Sequence, residues 1–215
     1  MKHICVFSGL GADKRVFREI DFSGFDVTFI EWIEPQNNEN LTSYAKRLAN
    51  QITSDKPILI GLSFGGIVAT EIAKIIDTEK IILIASAQTK HNIPFYYRIA
   101  GKLRLHKLLP TTLLKHPNIF LYRVFGVNTE KDKLLLSEIL CDTNPKFLTW
   151  AIDKIITWNN EEKLNNVKQI HGTADKLLPI KYADYDVKVS GGGHFMTISQ
   201  ADELTRIIRE LISLH

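Results

Sequence analysis

A serine stands at the centre of a glycine-rich pentapeptide, Gly-Leu-Ser-Phe-Gly, at residues 61–65. An apolar run precedes it and a segment with helical spacing follows it, which is the strand, tight turn and helix context of a nucleophile elbow. Such a turn projects the serine hydroxyl above the sheet edge and requires small residues on either side, a requirement that Gly61, Gly65 and the additional Gly66 meet. Ser63 is therefore a candidate nucleophile, although a glycine-rich turn with an idle serine stays possible on this segment alone.

A serine hydroxyl needs a base to take its proton, and that base needs a partner that fixes its tautomer. Asp175 lies in a loop that follows a predicted strand over 167–171, and His194 follows the three glycines at 191–193, after a predicted strand over 185–189. In a doubly wound sheet all three positions fall at the carboxyl ends of strands, where such folds bind ligands. The spacing indicates a Ser63, Asp175, His194 constellation.

Two alternatives to this assignment remain open. His171 could be the base in place of His194, and Asp184 or Asp186 could replace Asp175, although both aspartates lie in or before a strand and not after one. The other histidines have no spacing that supports a zinc site. We interpret these as surface or lid residues: His3, His91, His106, His116 and His215.

Strand-like and helix-like segments alternate along the first 85 residues, which favours a mostly parallel sheet covered on both faces. The fold class predicted is α/β, with a doubly wound sheet. The predicted strands are 3–7, 25–32, 57–62, 80–85, 167–171 and 185–189, and the predicted helices are a short one from about residue 14, then 42–52, 64–76, 147–158 and 201–214.

The alternation stops between residues 90 and 146, where the sequence is basic, aromatic-rich and interrupted by prolines. We interpret this segment as several short helices that form a lid inserted into a core of residues 1–89 and 147–215. The aromatic residues of the predicted helix 147–158 are expected to pack in the core, not to bind a cofactor.

The chain resembles the α/β-hydrolase superfamily in four motifs, and the resemblance spans the sequence apart from the variable lid. These are Ser-Gly-Leu-Gly at 8–11, Gly-Leu-Ser-Phe-Gly-Gly at 61–66, His-Gly-Thr-Ala-Asp at 171–175 and Gly-Gly-His-Phe at 192–195. The resemblance implies that Ser63 is the nucleophile, His194 the general base and then acid, and Asp175 the carboxylate that orients His194.

The resemblance also implies an oxyanion hole formed by two backbone amides, those of Phe64 and Leu10. Many relatives have His-Gly where this chain has Ser8-Gly9, so the hydrogen bonding that shapes this loop is expected to differ. The sequence also starts at the first parallel strand of the core, without the antiparallel strands that often precede it.

Composition places the chain among ordinary globular proteins, with 215 residues, 45% apolar residues and 24% charged residues. No signal peptide and no stretch long enough to span a membrane is evident. The two cysteines, Cys5 and Cys141, give neither a disulfide framework nor a metal spacing. We expect a cytoplasmic protein with reduced thiols and no cofactor.

The charge is unevenly distributed. Residues 90–129 contain seven basic and no acidic side chains, on a chain whose net charge is only +3. A solvated basic face is one interpretation. The other is a surface that meets an anion, such as a substrate carboxylate or phosphate, an acidic carrier protein or an anionic lipid surface. The small overall charge does not favour nucleic acid.

The function expected from these features is hydrolysis of a carboxylic ester or thioester with an apolar acyl or alcohol part, through an acyl-enzyme on Ser63. Alternatives are a hydrolase-like ligand-binding protein with negligible turnover, or a lyase or carbon–carbon hydrolase on the same scaffold.

Overall fold

The computed structural model describes residues 1–104 and 118–214. Its centre is a six-stranded sheet in which every strand pairs in parallel with its neighbours. The strands are β1 (His3–Phe7), β2 (Asp26–Ile30), β3 (Ile58–Leu62), β4 (Lys80–Ile84), β5 (Val167–Gly172) and β6 (Val187–Val189). The predicted α/β class with a doubly wound sheet is confirmed.

The strand order β2-β1-β3-β4-β5-β6 reverses direction between β1 and β3. The loops that follow these two strands diverge to opposite faces, and the crevice between their carboxyl ends is where open α/β sheets bind ligands. The register pairs Phe7 with Gly61, so that the loop after β1 and the turn after β3 begin side by side.

Apolar side chains on successive residues of each strand enter different cores, because strand residues alternate between faces. In β1, Ile4 and Val6 belong to one buried cluster, whereas Cys5 and Phe7 belong to the other. Both faces of the sheet are therefore covered, as the continuous apolar runs of these strands predict.

The helices divide between the two faces. Helices α1, α2 and α6 cover one face, and α5, α7, α8 and the short 3-10 helix Lys14–Phe17 cover the other. Their bounds are α1 (Leu41–Leu48), α2 (Phe64–Ile72), α3 (Phe95–Lys102), α4 (Ile119–Phe125), α5 (Glu130–Asp142), α6 (Pro145–Thr157), α7 (Met196–Ser199) and α8 (Ala201–Ser213). Within the two described ranges, no helix has the length and apolar character to cross a bilayer.

Local sequence explains where several helices begin. The Asn40 side chain accepts a hydrogen bond from the Ser43 amide at the start of α1, and Thr129 does the same for Asp132 at the start of α5. Asn144 caps α6, whose first residue is Pro145. These are the side chains and positions that favour helix initiation.

The segment 90–146 differs in part from the short helices expected there. Helix α5 is 13 residues long. Its buried residues Leu135, Leu136 and Ile139 belong to the same core cluster as Ile4 and Val6 of β1. Helix α6 starts at Pro145, slightly before the predicted position. Part of the segment lies outside the described residues, including Lys107 and Lys115, so the boundaries of a lid stay a prediction.

Candidate active site

The turn after β3 holds Ser63 in a backbone conformation that L residues rarely adopt, with φ of 52° and ψ of −121°. Hydrogen bonds with the end of β4, with the loop just after it and with the first turn of α2 hold it there, including one from the Ile67 amide at 3.4 Å. The Ser63 amide donates to the carbonyl of Ile84 at 2.9 Å, while its carbonyl accepts from the Gly66 amide at 3.0 Å and from the Ser86 hydroxyl at 2.6 Å. The surrounding structure therefore compensates for the strain and fixes the direction of the hydroxyl.

The glycines around Ser63 leave no room for larger residues. A Cβ added at Gly61 would come within 3.0 Å of the Gly66 backbone, and one at Gly65 would come within 3.0 Å of the carbonyl oxygens of Phe7 and Ser8. A Cβ at Gly66 would meet Ser86 equally closely. The turn thus approaches both neighbouring strand ends in a way that only glycine allows.

The structure brings the three predicted side chains into one hydrogen-bonded row. The distance from Ser63 Oγ to His194 Nε2 is 2.8 Å, and the distance from His194 Nδ1 to Asp175 Oδ2 is 2.8 Å. Because an ionised carboxylate only accepts, Nδ1 carries the proton and Nε2 is left to accept from the hydroxyl. Asp175 and His194 are buried, whereas Ser63 is half-buried and reachable.

The loop after β5 holds the Asp175 carboxylate in its ionised form. Its Oδ1 accepts hydrogen bonds from the amides of Leu177 and Leu178, both at 2.9 Å. Burial opposes ionisation, but the charge and hydrogen bond of His194 and the Leu178 amide outweigh it, so the pKa of Asp175 is lowered. Asp175 is thus a preorganised negative partner for His194.

The loop after β6 carries His194 between two close backbone contacts. The Ala174 amide donates to the Gly192 carbonyl at 2.9 Å, and the Phe195 amide donates to the Phe125 carbonyl at 3.0 Å. The Phe125 ring also lies edge-on to the His194 ring, with centroids 5.6 Å apart. Phe125 ends α4, and no spacing in the sequence links it to His194, so sequence reasoning missed this contact.

The loop after β1 lies against the nucleophile. A Cβ added at Gly9, the residue before Leu10, would be 3.7 Å from the Cβ of Ser63. Neither the Leu10 nor the Phe64 amide donates a hydrogen bond to any other described part of the chain. The two amides expected for an oxyanion hole therefore both lack a hydrogen-bond acceptor in the described parts of the chain.

The Ser8 side chain shapes the loop that follows β1. Its hydroxyl donates to the Ala12 carbonyl at 2.6 Å, and the Ala12 amide donates to the Gly9 carbonyl at 3.0 Å. The indole of Trp32 donates to the same Ala12 carbonyl at 3.0 Å. A short buried hydroxyl thus closes the loop on itself.

The alternative site residues do not take the place of His194 or Asp175 in the row. His171 bonds the Leu178 carbonyl, and it is His194 that contacts Ser63. Asp186 pairs with Lys168, and Asp184 pairs with Lys163. A search of residues 1–104 and 118–214 finds no group of three His, Cys, Asp or Glu side chains that could hold a metal ion.

Aromatic rings surround the residue that follows the nucleophile. The ring of Phe64 lies 5.5 Å from Trp32, 6.2 Å from Phe147 and 6.2 Å from Trp150. The Trp150 indole donates to the Glu39 carbonyl at 2.9 Å, so its polar group is satisfied. These rings belong to the core or lie against it, as predicted for the helix 147–158.

Comparison with solved structures assigns the architecture to the α/β-hydrolase fold. A thermophilic esterase from Thermogutta terrifontis superposes with a TM-score of 0.74 and 16% identity, over 99% of this chain and 89% of its own. An enzyme that degrades N-acyl homoserine lactones gives 0.71 and 14%, over 98% and 93%. A meta-cleavage product hydrolase from Pseudomonas fluorescens gives 0.67 and 16%, over 99% and 90%.

The identities of these structures establish the fold and no more than the fold. No protein-family model matches the sequence, and no curated protein matches it. The resemblance to α/β-hydrolases that the four motifs carry is confirmed at this level. What the chain does must be argued from its own site.

Proposed function

We propose that this protein is a serine hydrolase that cleaves a carboxylic ester or thioester through an acyl-enzyme on Ser63. The observation that carries the proposal is the row of two 2.8 Å hydrogen bonds from Ser63 Oγ through His194 to Asp175. A strained, reachable serine, a base in the correct tautomer and a buried carboxylate together form the arrangement that activates a hydroxyl nucleophile.

In the acylation step, Ser63 Oγ attacks the carbonyl carbon while His194 Nε2 takes the hydroxyl proton. The negative charge on the carbonyl oxygen is stabilised by the amides of Leu10 and Phe64, each worth about 10²–10³ in rate. The intermediate then collapses, the bond to the alcohol or thiol breaks, and His194 returns its proton to that leaving group.

In the deacylation step, a water molecule replaces the alcohol. His194 takes a proton from the water as the water oxygen attacks the acyl carbon. The bond from Ser63 Oγ to that carbon then breaks, His194 returns the proton to Ser63 Oγ, and a carboxylic acid is released. Asp175 stays ionised and stabilises the imidazolium of His194 in both steps.

The aromatic surroundings of Phe64 support an apolar acyl or alcohol part. Esterases occur among the structures with this fold, including one from Exiguobacterium antarcticum, which agrees with this reaction class. The same arrangement attacks oxygen esters and thioesters alike, so the proposal covers both.

We also propose that the basic surface of residues 90–129 meets an anionic group on the substrate or on an acidic carrier protein. Lys90 forms an ion pair with Glu161 and is not available for this. The exposed side chains of Lys102, Arg104 and Arg123 have no ion-pair partner in the parts of the chain that the structure describes, which supports the proposal. Lys107 and Lys115 fall outside those parts.

The direct test of the reaction is covalent labelling. A p-nitrophenyl ester should release a burst of one p-nitrophenolate per protein, and a fluorophosphonate should label Ser63 and no other residue. Ser63→Ala should abolish both, whereas Ser213→Ala, at the exposed end of α8, should change neither. Labelling that persists in Ser63→Ala, or binding of esters without turnover, would contradict the proposal and favour a ligand-binding protein.

A further inference from the structure

A second buried histidine lies behind the carboxylate of the site. His171, on β5, is 1% exposed, and its Nε2 lies 2.7 Å from the Leu178 carbonyl oxygen. The same nitrogen is 3.6 Å from Asp175 Oδ2, which is too long for a hydrogen bond but close for a charge. The proposed mechanism does not use this ring.

The contacts of His171 define its protonation state. A carbonyl oxygen only accepts, so Nε2 carries a proton and donates to Leu178. Nδ1 is buried and has no hydrogen-bond partner in the described structure, which leaves no acceptor for a second proton. Burial, and also the charge of His194, lower the pKa of His171 despite the opposite effects of Leu178 and Asp175. The ring is therefore neutral.

Leu178 links this neutral ring to the carboxylate. The Leu178 carbonyl accepts from His171, while the Leu178 amide donates to Asp175 Oδ1 at 2.9 Å. His171 thus holds one side of the residue whose other side holds Asp175. The ring also fills the space beside Oδ2, the oxygen that bonds His194.

We propose that His171 is a positioning residue, which fixes the Asp175 carboxylate through Leu178 and by contact so that it faces His194. The inference rests on the proposed function for its effect on turnover, but the Asp175–His194 hydrogen bond can be observed without any substrate. Because a shift of about 1 Å in a site can cost about 10² in rate, the loss of His171 should be visible in kcat.

Three variants distinguish the positioning role of His171 from simple packing. His171→Gln places an amide nitrogen near the position of Nε2 and keeps a donor for Leu178. His171→Asn is polar but too short to reach that carbonyl, and His171→Leu removes the donor altogether. His3→Gln is the control, because His3 is a half-buried histidine at the amino end of β1, away from the carboxyl ends that carry the site.

The expected result is a kcat about 10- to 100-fold lower in His171→Asn and His171→Leu, with KM little changed, and a kcat within about threefold of the original in His171→Gln. The low-field proton resonance of His194 Nδ1–H should shift or broaden in the first two variants and persist in the third. If His171→Leu does not fold, the contrast between Asn and Gln decides.

The inference is overturned if His171→Asn leaves kcat and the low-field resonance unchanged, or if all three variants lose stability and kcat in parallel, since packing alone would then explain them. Failure of the proposed function gives a different result. Ser63 would not be labelled in any variant, while the resonance would still report whether His171 orders Asp175 against His194.

Discussion

The sheet edge that carries the triad and the neighbouring helix α3 are built in opposite ways. At the edge, Asp175 and His194 are 5% and 3% exposed and every polar atom of the row has a partner. On α3, Phe95 and Ile99 are 57% and 49% exposed, and basic side chains stand beside them without ion pairs in the described chain. The polar atoms of the triad are satisfied within the protein, and we call this edge the closed region. The apolar and cationic side chains of α3 are exposed to solvent, and we call this helix the open region.

We therefore expect the two regions to have different roles, one in the reaction and one in binding. On the proposed function, the crowded edge determines which reaction is catalysed, because its groups are held by hydrogen bonds and close packing. We propose that the surface of α3 and its surroundings determines which substrate or carrier group binds, because apolar and cationic side chains there are exposed. Changes at the edge should therefore alter kcat, and changes on the surface should alter KM or its dependence on salt.

The largest effect is expected from Asp175→Asn. The asparagine oxygen would accept from the amides of Leu177 and Leu178, which turns its NH₂ group toward His194 Nδ1. His194 would then carry its proton on Nε2 and could not accept one from Ser63. We expect kcat for a p-nitrophenyl ester to fall about 10⁴-fold, with little change in KM.

The control for this variant is Asp184→Asn, which removes an exposed carboxylate that pairs with Lys163. It should leave kcat within about twofold, since exposed ion pairs contribute little. An Asp175→Asn protein that is folded by thermal unfolding yet keeps more than a tenth of its activity would show that the edge does not determine the reaction.

A smaller effect is expected from Gly65→Ala. Its Cβ would be forced against the carbonyl oxygens of Phe7 and Ser8, so the turn and the loop after β1 must separate. Because this loop carries Leu10, the oxyanion donors should move with it. We expect kcat/KM to fall about 10²-fold and the free energy of unfolding to fall by about 1–3 kcal/mol.

The comparison for Gly65 is Gly24→Ala. Gly24 has φ of 84° and an added Cβ would touch nothing within 4 Å, so only backbone strain arises. The free energy of unfolding should fall by about 1–2 kcal/mol while kcat/KM stays the same. If both variants lose stability and neither loses activity, crowding at the turn does not position the oxyanion donors.

The sequence predicts the closed region well because its requirements are local. Gly61, Gly65 and Gly66 are needed by one tight turn, and Asp175 and His194 each follow a strand that the apolar pattern identifies. The side chains of Ser63, His194 and Asp175 can form one hydrogen-bonded row because parallel strands end at the same edge of the sheet. The roles proposed for them therefore rest on geometry that a single sequence already indicates.

The sequence predicts less of the elements that pack around the site, because their contacts depend on tertiary packing. Nothing in the sequence around Phe125 indicates that its ring contacts His194. Helix α7, which begins two residues after His194, is only four residues long. Helix α5 could have been recognised from its Thr129 cap followed by acidic residues in the first turn. Its burial against the sheet is less evident, because apolar residues also occur on its exposed side, such as Leu134.

The smallest effect expected concerns the basic surface. If Lys102 and Arg104 attract an anionic substrate, kcat/KM for an ester with a carboxylate should fall about two- to threefold when the ionic strength rises from about 0.01 M to 0.15 M, because salt screens exposed charges. A neutral ester of the same size should show no such change. The double variant Lys102→Gln/Arg104→Gln should remove the salt dependence without lowering kcat.

The matched control is Lys46→Gln/Lys56→Gln, which removes two exposed lysines that lie outside residues 90–129. It lowers the net charge by the same amount, so it tests whether the position of the charges matters or only their sum. Equal salt dependence for charged and neutral esters would disprove steering by this surface. Equal effects of the two double variants would assign the attraction to overall charge, and the outward-facing region would then not select an anion.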